Sequence, residues 1–255
     1  MNMTGKFSVG IRCSTYNQSR YIVETMDGFV MQQTSFPFVA MIVDDASTDG
    51  QQSLICSYIR QNFDWEDPEA YDCDEKHAQV MFARHKVNKS CHFVVLFLKE
   101  NLYQKGLHYK KLEYLAPWRN ELKYEALCEG DDWWIDPLKL QKQFDFLETH
   151  PDHAMCTTSY SSYRMKDGHI NKGIDHGPGT DITLRDLMRK NIIGTLTVMY
   201  RLEVLARYEK EVRPHIPSFQ MGDIPLWLFI AHEGKIHELP CTTAMYRVLE
   251  NSTSH

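Results

Sequence analysis

The sequence lacks the features that mark membrane-spanning, disulfide-bonded and secreted proteins. No apolar run approaches the roughly 18 residues that a membrane-spanning helix needs, and the longest candidates are FVVLFL and PLWLFIA. The seven cysteines are scattered without a CxxC pair, which is typical of reduced core thiols and not of a disulfide or zinc framework. The N-terminus has no basic start followed by an apolar stretch, as a signal peptide would have. These absences predict a globular, cytoplasmic protein.

Basic clusters and the common histidine metal motifs are also missing. The formal net charge is −6 and no long run of Lys and Arg occurs, so the sequence offers no basic face for a nucleic acid. The twelve histidines form neither an HxxxH nor an HExxH motif, which argues against a helical zinc site. We therefore expect no nucleic-acid partner, and we expect most histidines to be surface or hydrogen-bonded core residues.

Strand and helix patterns alternate through the first half of the chain. Residues 7–14 and 38–45 are strand-like, and each is followed by helical periodicity, at 21–33 and after residue 50. Further short strands are predicted at 80–85, 92–99 and 123–129. Strands separated by helices predict an α/β protein with a mostly parallel central sheet and helices on both faces.

The pattern changes after residue 150, and two segments of the chain are predicted as loops. The acidic, aperiodic segment 62–76 is typical of a solvated loop, and the Gly-rich segment 167–181 is typical of another. No linker or internal repeat divides the chain, so we predict one domain over residues 1–255. The remaining predicted elements are a strand at 153–164, a helix at 182–191, a strand at 194–201, a helix at 223–234 and a strand at 235–248.

Three polar clusters follow predicted strands. They are CSTYN at 13–17, VDDAS at 43–47 and EGDD at 129–132. In open parallel sheets, ligands bind beyond the carboxyl ends of the strands. Because three polar strand ends would meet at one edge of the sheet, we predict a binding site there.

The third cluster contains two neighbouring carboxylates, Asp131 and Asp132. Helix capping does not account for them, because Asp136 followed by Pro137 already supplies the N-cap and first turn of the next helix. Two adjacent like charges repel each other unless a positive charge lies between them. The pair therefore predicts a divalent-cation site.

The segments around these clusters resemble the inverting GT-A glycosyltransferases of family 2, bacterial enzymes that build surface polysaccharides from nucleotide sugars. The resemblance spans nearly the whole chain, and it implies a Rossmann-like GT-A fold with a nucleotide-sugar-binding half at 1–132 and an acceptor-side half at 133–255. Its most specific part is the combination of VDDASTDG with CEGDDWW. The matching segments are SVGIRCSTYNQSRYIVETMDGFVMQQ, MIVDDASTDG, WRNELKYEALCEGDDWWIDPLKLQKQFDFLE, NIIGTLTVMYR and MGDIPLW.

The resemblance assigns roles to residues of the three clusters. Ser14 and Tyr16 would line a pocket for uracil or thymine, and Asp45 would accept a hydrogen bond from the base, as suits an imide N–H donor. Asp132 would bind Mg²⁺ or Mn²⁺, which would stabilise the departing diphosphate as a Lewis acid. Asp131 would contact the ribose or the donor sugar.

Structural roles remain open for several of these residues. Asp44 and Asp45 also fit a turn that opens the following helix. Trp133 and Trp134 suit a wedge between the next helix and the sheet, although one of them also suits stacking on a sugar ring. Thr195 lies in a segment that the resemblance assigns to the floor of the acceptor site, but the apolar residues of that segment suit a core equally well.

The resemblance assigns Asp223 as the catalytic base. Inversion by single displacement requires a carboxylate that takes the proton from the attacking acceptor hydroxyl. The alternative is an N-cap, because Asp223 lies two residues before Pro225 and just ahead of an apolar helix.

Taken together, the residues and the resemblance predict transfer of a sugar from a nucleoside diphosphate sugar, a UDP-sugar above all, to a hydroxyl of a glycan or lipid-linked acceptor. The resemblance also allows peripheral association with the inner face of the membrane. Two other classes stay open. A sugar nucleotidyltransferase would show a Gly-rich loop with Arg or Lys after the first strand, where STYNQSRY has no glycine, and a noncatalytic sugar-binding module would need neither the nucleotide cluster nor the metal pair.

Overall fold

The computed structural model describes residues 7–74, 78–107, 110–175, 177–215 and 222–249. Its strands, in chain order, are β1 Val9–Thr15, β2 Phe38–Asp44, β3 Phe63–Asp74, β4 Ala78–His85, β5 Cys91–Leu98, β6 Tyr124–Leu127, β7 Trp133–Trp134, β8 His153–Arg164, β9 Ile170–Ile174, β10 Asp181–Ile182, β11 Met199–Arg201 and β12 Lys235–Val248. Its α-helices are α1 Ile22–Val30, α2 Gln51–Asn62, α3 Lys110–Arg119, α4 Lys139–Thr149, α5 Leu184–Arg189, α6 Leu202–Glu211 and α7 Asp223–Glu233, and 3-10 turns lie at Thr195–Thr197 and Arg213–His215. The predicted α/β class is confirmed.

The chain forms two compact units. Unit 1 consists of Met1–Leu122 and Cys128–Leu138, and unit 2 consists of Lys123–Leu127 and Lys139–His255. The single domain and the functional division at residue 132 stay predictions, because compactness does not report which part of the chain binds which ligand.

Unit 1 is built on a sheet with the strand order β1-β2-β5-β4-β3. β2 pairs in parallel with both β1 and β5, whereas β4 is antiparallel to β5 and to β3. Every residue of β2 and β5 is buried, as expected of the near-continuous apolar strands at the centre of a parallel sheet. The parallel pairing brings the carboxyl ends of β1 and β2 to the same edge.

Helices α1 and α2 follow the first two strands, as predicted. α1 buries Ile22, Met26 and Phe29, which recur on one face of the helix, and α2 buries Ile55 and Ile59. Burial of an aliphatic or aromatic side chain of this size contributes about 1.5–3 kcal/mol. These apolar faces therefore fix both helices against the core of unit 1.

Unit 2 has a second set of paired strands, in the order β10-β12-β8-β11-β6. β12 and β8 run parallel, and β10, β11 and β9 add antiparallel pairs. Helix α7 buries Leu226, Trp227 and Ile230 in this unit. The short edge pairs made by β9 and β10 were not predicted from the sequence.

The prediction of a loop at 62–76 is wrong for its described part. Phe63–Asp74 forms β3, which pairs antiparallel with β4 at the end of the strand order. The acidic composition does not indicate a strand, because the strand depends on backbone hydrogen bonds to its partner β4. Residues 75 and 76 lie outside the described residues.

The second half contains two further corrections. The predicted loop at 167–181 includes β9, and its last residue begins β10, while residue 176 lies outside the described residues. The predicted strand at 194–201 is reduced to β11, because a 3-10 turn occupies Thr195–Thr197. Thr197 Oγ1 donates to the Gly194 carbonyl at 2.6 Å, and such local side-chain bonds compete with strand pairing.

None of the helices in the described ranges combines the length and the apolar character that a membrane crossing requires. The cytoplasmic location and the membrane association stay predictions.

Candidate functional site

The three polar clusters meet at the carboxyl end of β1, within unit 1. The N–H of Asp45 donates to the carbonyl of Thr15 at 3.0 Å, and the N–H of Gly130 donates to the carbonyl of Ser14 at 3.1 Å. The loop after β2 and the segment that carries the Asp pair are therefore tied to consecutive residues of β1. Ser14 and Tyr16 are exposed beside them.

Glycine is required at position 130 by this close approach. A Cβ there would lie 2.4 Å from Thr15 Oγ1 and 2.6 Å from Gln18 Oε1. The same backbone is held from α1, since Thr25 Oγ1 lies 3.0 Å from the Gly130 carbonyl and 2.6 Å from the Asp132 carbonyl. The turn that carries the Asp pair is thus fixed from two sides.

Three carboxylates project from this turn. Glu129, Asp131 and Asp132 each have a potential ligand atom, and these atoms all lie within 4.8 Å of one another. Asp132 is 3% exposed, whereas Glu129 is exposed and Asp131 is half-buried. Burial, and after it the negative charges of Glu129, Asp131 and Asp132, raise the pKa of the Cys13 thiol well above its usual value. Oxygen ligands of this kind suit a hard divalent cation.

Glu129 was not named as a ligand by the sequence analysis. Its signal was present, because EGDD holds three acidic residues in a row of four. The N–H of Asp132 donates to the Glu129 carbonyl at 3.2 Å, and this tight turn brings the third carboxylate beside the pair.

Asp44 organises the turn that opens α2. This agrees with the structural alternative for the VDDAS cluster, in which the acidic residues form a turn before the helix. Its fully buried carboxylate accepts hydrogen bonds from the Ser47 N–H at 2.9 Å, from Gln51 Nε2 at 2.5 Å and from Gln52 Nε2 at 2.8 Å. These donors all lie within the next eight residues. Asp44 is therefore a structural residue of this loop.

Asp45 makes longer-range contacts. Its carboxylate accepts from the N–H groups of Leu102 at 2.8 Å and Tyr103 at 3.1 Å, and it forms an ion pair with Lys111 at 2.7 Å. The carboxylate is buried with this cation, so the ion pair is shielded from solvent. Lys111 lies 66 residues away along the chain, and no sequence pattern pointed to it. The base-reading role of Asp45 stays a prediction.

Unusual backbone geometry is found in the same loops. In the described part of the chain, the two non-glycine residues with positive φ are Asn17 at 53° and Ala46 at 62°. Asn17 also bridges the loops, because its Oδ1 accepts from the Thr48 N–H at 2.7 Å and its N–H donates to Ser47 Oγ at 2.9 Å. Residues held in sparsely populated conformations cluster at ligand sites in proteins, so this geometry agrees with a site at the ends of β1 and β2.

The two tryptophans after the Asp pair differ in their surroundings. Trp134 is fully buried, and its ring lies 5.1 Å from that of Phe29 in an edge-to-face arrangement. The backbone of Trp134 lies against Gly28, where a Cβ would be 3.0 Å from the Trp134 nitrogen. Trp134 therefore packs against α1, and the predicted wedge between the next helix and the sheet stays a prediction. Trp133 is half-buried, and a sugar-stacking role for it stays a prediction.

Unit 2 brings Asp223 and Thr195 together. Thr195 Oγ1 donates to Asp223 Oδ2 at 2.6 Å. Asp223 is the first residue of α7, and the N-cap position is occupied by Gly222 without a side-chain cap hydrogen bond. The N-cap alternative for Asp223 is wrong, since its carboxylate bonds a hydroxyl from another element instead of the first turn of its own helix.

Comparison with solved structures identifies the fold. The chain matches S. aureus TarS 1–349, a structure in complex with UDP, with a TM-score of 0.60 and 15% identity, over 95% of this chain and 61% of that one. The fold is that of the GT-A glycosyltransferases. A second GT-A match is the mannosyltransferase PcManGT of Pyrobaculum calidifontis in complex with GDP-Man and Mn²⁺, with a TM-score of 0.58 and 14% identity, over 98% of this chain and 60% of that one.

Sequence relatives include a putative glycosyltransferase and an uncharacterised protein. The putative teichuronic acid biosynthesis glycosyltransferase TuaG of Bacillus subtilis is 27% identical over 249 residues, which cover 96% of this chain and 81% of TuaG. An uncharacterised protein of Mycobacterium tuberculosis is 32% identical over 240 residues, which cover 91% of this chain and 56% of the relative. The GT-A chain thus spans little more than half the length of that relative. No protein-family model matches it.

Proposed function

We propose that this chain is an inverting glycosyltransferase that moves a sugar from a nucleoside diphosphate sugar to a hydroxyl of a glycan or lipid-linked acceptor in cell-surface polysaccharide synthesis. The observation that carries the proposal is the cluster of Glu129, Asp131 and Asp132 on a turn fixed at the carboxyl end of β1. The printed name of the Bacillus relative supports the class of pathway. Structures of TarS with UDP and with UDP-GlcNAc support a UDP-sugar as the donor.

The carboxylate cluster fits a bound divalent cation. Its donors are all oxygens, and Asp132 is nearly fully buried on a turn whose Gly130 and Asp132 carbonyls both lie within hydrogen-bond distance of Thr25 Oγ1. Mg²⁺ or Mn²⁺ bound there would act as a Lewis acid that offsets the charge growing on the leaving diphosphate. Asp132 is the proposed metal ligand, Asp131 is proposed to contact the ribose or donor sugar, and Glu129 adds negative charge to the ion's surroundings. The Mn²⁺ in the Pyrobaculum enzyme supports this choice of ion.

Asp223 is the proposed catalytic base. An inverting displacement needs one carboxylate to take the proton from the acceptor hydroxyl as its oxygen attacks the anomeric carbon. The Thr195 hydroxyl bonds Asp223 Oδ2 at 2.6 Å and fixes the rotation of the carboxylate. In this proposal Thr195 is therefore a positioning residue that acts through Asp223. This role is additional to the place in the floor of the acceptor site that the resemblance implies.

Ser14, Tyr16 and Asp45 are proposed to hold the nucleoside. Ser14 and Tyr16 are exposed at the end of β1, where an aromatic ring can stack on a base. Asp45 binds the amides of Leu102 and Tyr103, so we propose that it also shapes the loop on this side of the nucleoside. A carboxylate oxygen has two acceptor sites, and a base N–H can therefore be added to these bonds.

The proposal is tested by incubating the protein with UDP-GlcNAc and Mn²⁺ and resolving the nucleotide products by chromatography. Slow release of UDP, by transfer or by hydrolysis of the donor, is the expected result, and Asp132→Ala should abolish it. Glu113→Ala removes an exposed carboxylate on α3 and should leave the release unchanged. Formation of UTP when pyrophosphate is added would show a nucleotidyltransferase instead. Binding of the sugar nucleotide without any turnover, with a full set of common donors, would favour a noncatalytic module.

A further inference from the structure

Three neighbouring strands of unit 2 bring together a cluster of metal-ligand side chains that the proposed transfer reaction does not use. His153 begins β8, Asp181 begins β10 and His237 lies in β12. Asp181 and His237 are direct partners in the antiparallel β10–β12 pair, and β12 runs parallel beside β8. Residues far apart in the sequence are therefore held at one end of the sheet by its register.

The distances within the cluster suit a tetrahedral metal ion. Asp181 Oδ1 lies 2.7 Å from His237 Nδ1 and 3.4 Å from His153 Nε2, and ligand atoms of all three residues lie within 4.8 Å of one another. Tetrahedral zinc with bonds of about 2.0–2.1 Å keeps its ligand atoms about 3.3 Å apart. The His153–Asp181 separation already has this value, and the His237–Asp181 hydrogen bond has to open by only about 0.6 Å.

The surroundings of His153 favour a metal-binding tautomer. Its Nδ1 lies 2.9 Å from Asp152 Oδ1, and Lys235 Nζ lies 2.7 Å from the other oxygen of that carboxylate. Metal-bound histidines usually donate the remote ring N–H to a carboxylate in this way. When Nδ1 donates to Asp152, Nε2 presents its lone pair to Asp181 at 3.4 Å. Two electron-rich atoms that face each other are stabilised by a cation between them.

The ring of His237 is also restrained. Phe146 stacks on it with ring centroids 4.8 Å apart and an interplanar angle of 15°. Phe146 also stacks on His150 at 4.2 Å and meets His153 edge-to-face at 5.0 Å. The side chains of His153, His237 and Asp181 are 8%, 19% and 45% exposed. The two imidazoles are therefore partly shielded from solvent, while Asp181 leaves a route by which an ion and a water molecule enter.

We propose that His153, Asp181 and His237 bind a zinc-class divalent ion, with a water molecule as the fourth ligand. Nitrogen ligands favour Zn²⁺ over Mg²⁺ or Mn²⁺, so this site differs in chemistry from the all-oxygen cluster of unit 1. The ion fastens the two-residue strand β10 to β12 and β8.

The test uses the tag-free full chain carrying Asp132→Ala, so that the carboxylate cluster of unit 1 does not contribute. Calorimetric titration with Zn²⁺ is expected to give one ion per chain at micromolar affinity or tighter, with a raised melting temperature. His237→Ala should weaken binding at least about tenfold, which corresponds to about 1.4 kcal/mol. The matched control is His232→Ala, which removes an exposed histidine that also pairs with a carboxylate, Glu233, and it should bind Zn²⁺ normally.

A second variant and a spectroscopic measurement keep the outcome clear if His237→Ala folds poorly. Asp181→Asn keeps the size of the side chain and should also weaken Zn²⁺ binding at least about tenfold, with an unchanged circular dichroism spectrum. Co²⁺ in place of Zn²⁺ should give the intense visible absorption of a tetrahedral ion in the parent chain and in His232→Ala, but not in Asp181→Asn. Equal Zn²⁺ affinity in Asp181→Asn and the parent, or no binding up to millimolar Zn²⁺, would overturn the proposal.

Discussion

At the scale of single residues, Asp223 shows how a structure separates two roles that one sequence position allows. Its place before an apolar helix fits a cap, yet the carboxylate bonds Thr195 and Gly222 occupies the cap position. In contrast, Thr183 and Asp186 form a complete capping box at the start of α5. The two acidic residues therefore predict opposite effects of mutation.

Asp223→Asn is expected to lower sugar transfer by about 10² or more, since it removes the base, while the melting temperature and donor binding change little. Thr195→Val should lower transfer less, because it only loosens the orientation of the carboxylate. Asp186→Ala serves as the contrast: it removes one half of the capping box, should cost about 0.3–1.5 kcal/mol of stability and should leave the transfer rate per folded molecule unchanged. Transfer by Asp223→Asn at close to the wild-type rate would leave the carboxylate without a catalytic role.

Gly130 permits a second prediction at this scale. A Cβ at residue 130 would lie 2.4 Å from Thr15 Oγ1, so Gly130→Ala must displace the turn that carries the Asp pair. We expect a loss of about 1–3 kcal/mol of stability, the usual cost of overpacking, together with weaker Mn²⁺-dependent binding of UDP. Gly222→Ala is the matched control, since no atom of the described residues lies within 4 Å of its added Cβ. Unfolding in urea and calorimetry measure the two effects, and a neutral result for Gly130→Ala would contradict the fixed-turn account.

At the scale of elements, the loop between β5 and α3 is tied to the end of β2 through Asp45. Asp45→Ala should speed hydrogen exchange at the amides of Leu102 and Tyr103, because each loses a charged acceptor worth about 1.5–3 kcal/mol. It should also weaken uridine binding by about 1–3 kcal/mol, with or without metal. Asp64→Ala is the control, as Asp64 forms an exposed pair with Lys89 and such pairs contribute little. Unchanged hydrogen exchange at both amides would contradict the connection between Asp45 and the loop. Unchanged uridine affinity would contradict the proposed recognition of the base by Asp45.

Element prediction succeeded where the pattern is local. β1, β2, β4, β5, α1 and α2 carry their own periodicity or apolar runs, and their positions were predictable from the sequence, whereas α3 was not predicted. β3, β9 and β10 carry no such pattern, because their pairing comes from backbone partners in distant strands. The same limit applies within the site. Lys111 reaches Asp45 only through the fold, whereas the acidic composition of EGDD already held the signal for Glu129.

At the scale of the whole molecule, the GT-A fold accounts for the order of the motifs along the chain. The strand-end clusters 13–17, 43–47 and 129–132 belong to unit 1, and Asp223 and Thr195 belong to unit 2. The chain spans 56% of its mycobacterial relative, so that relative does not define the acceptor or the pathway. Both are best identified from the product of the transfer reaction.

The central claim is that the carboxylate cluster holds a metal ion on the diphosphate of the donor. Calorimetric titration of UDP, with and without Mn²⁺, measures this directly in the wild type and in Asp132→Ala. We expect Mn²⁺ to tighten UDP binding to the wild type at least about tenfold, about 1.4 kcal/mol, and to have no effect on UDP binding to a folded Asp132→Ala. Equal Mn²⁺ enhancement in the two proteins would contradict the account.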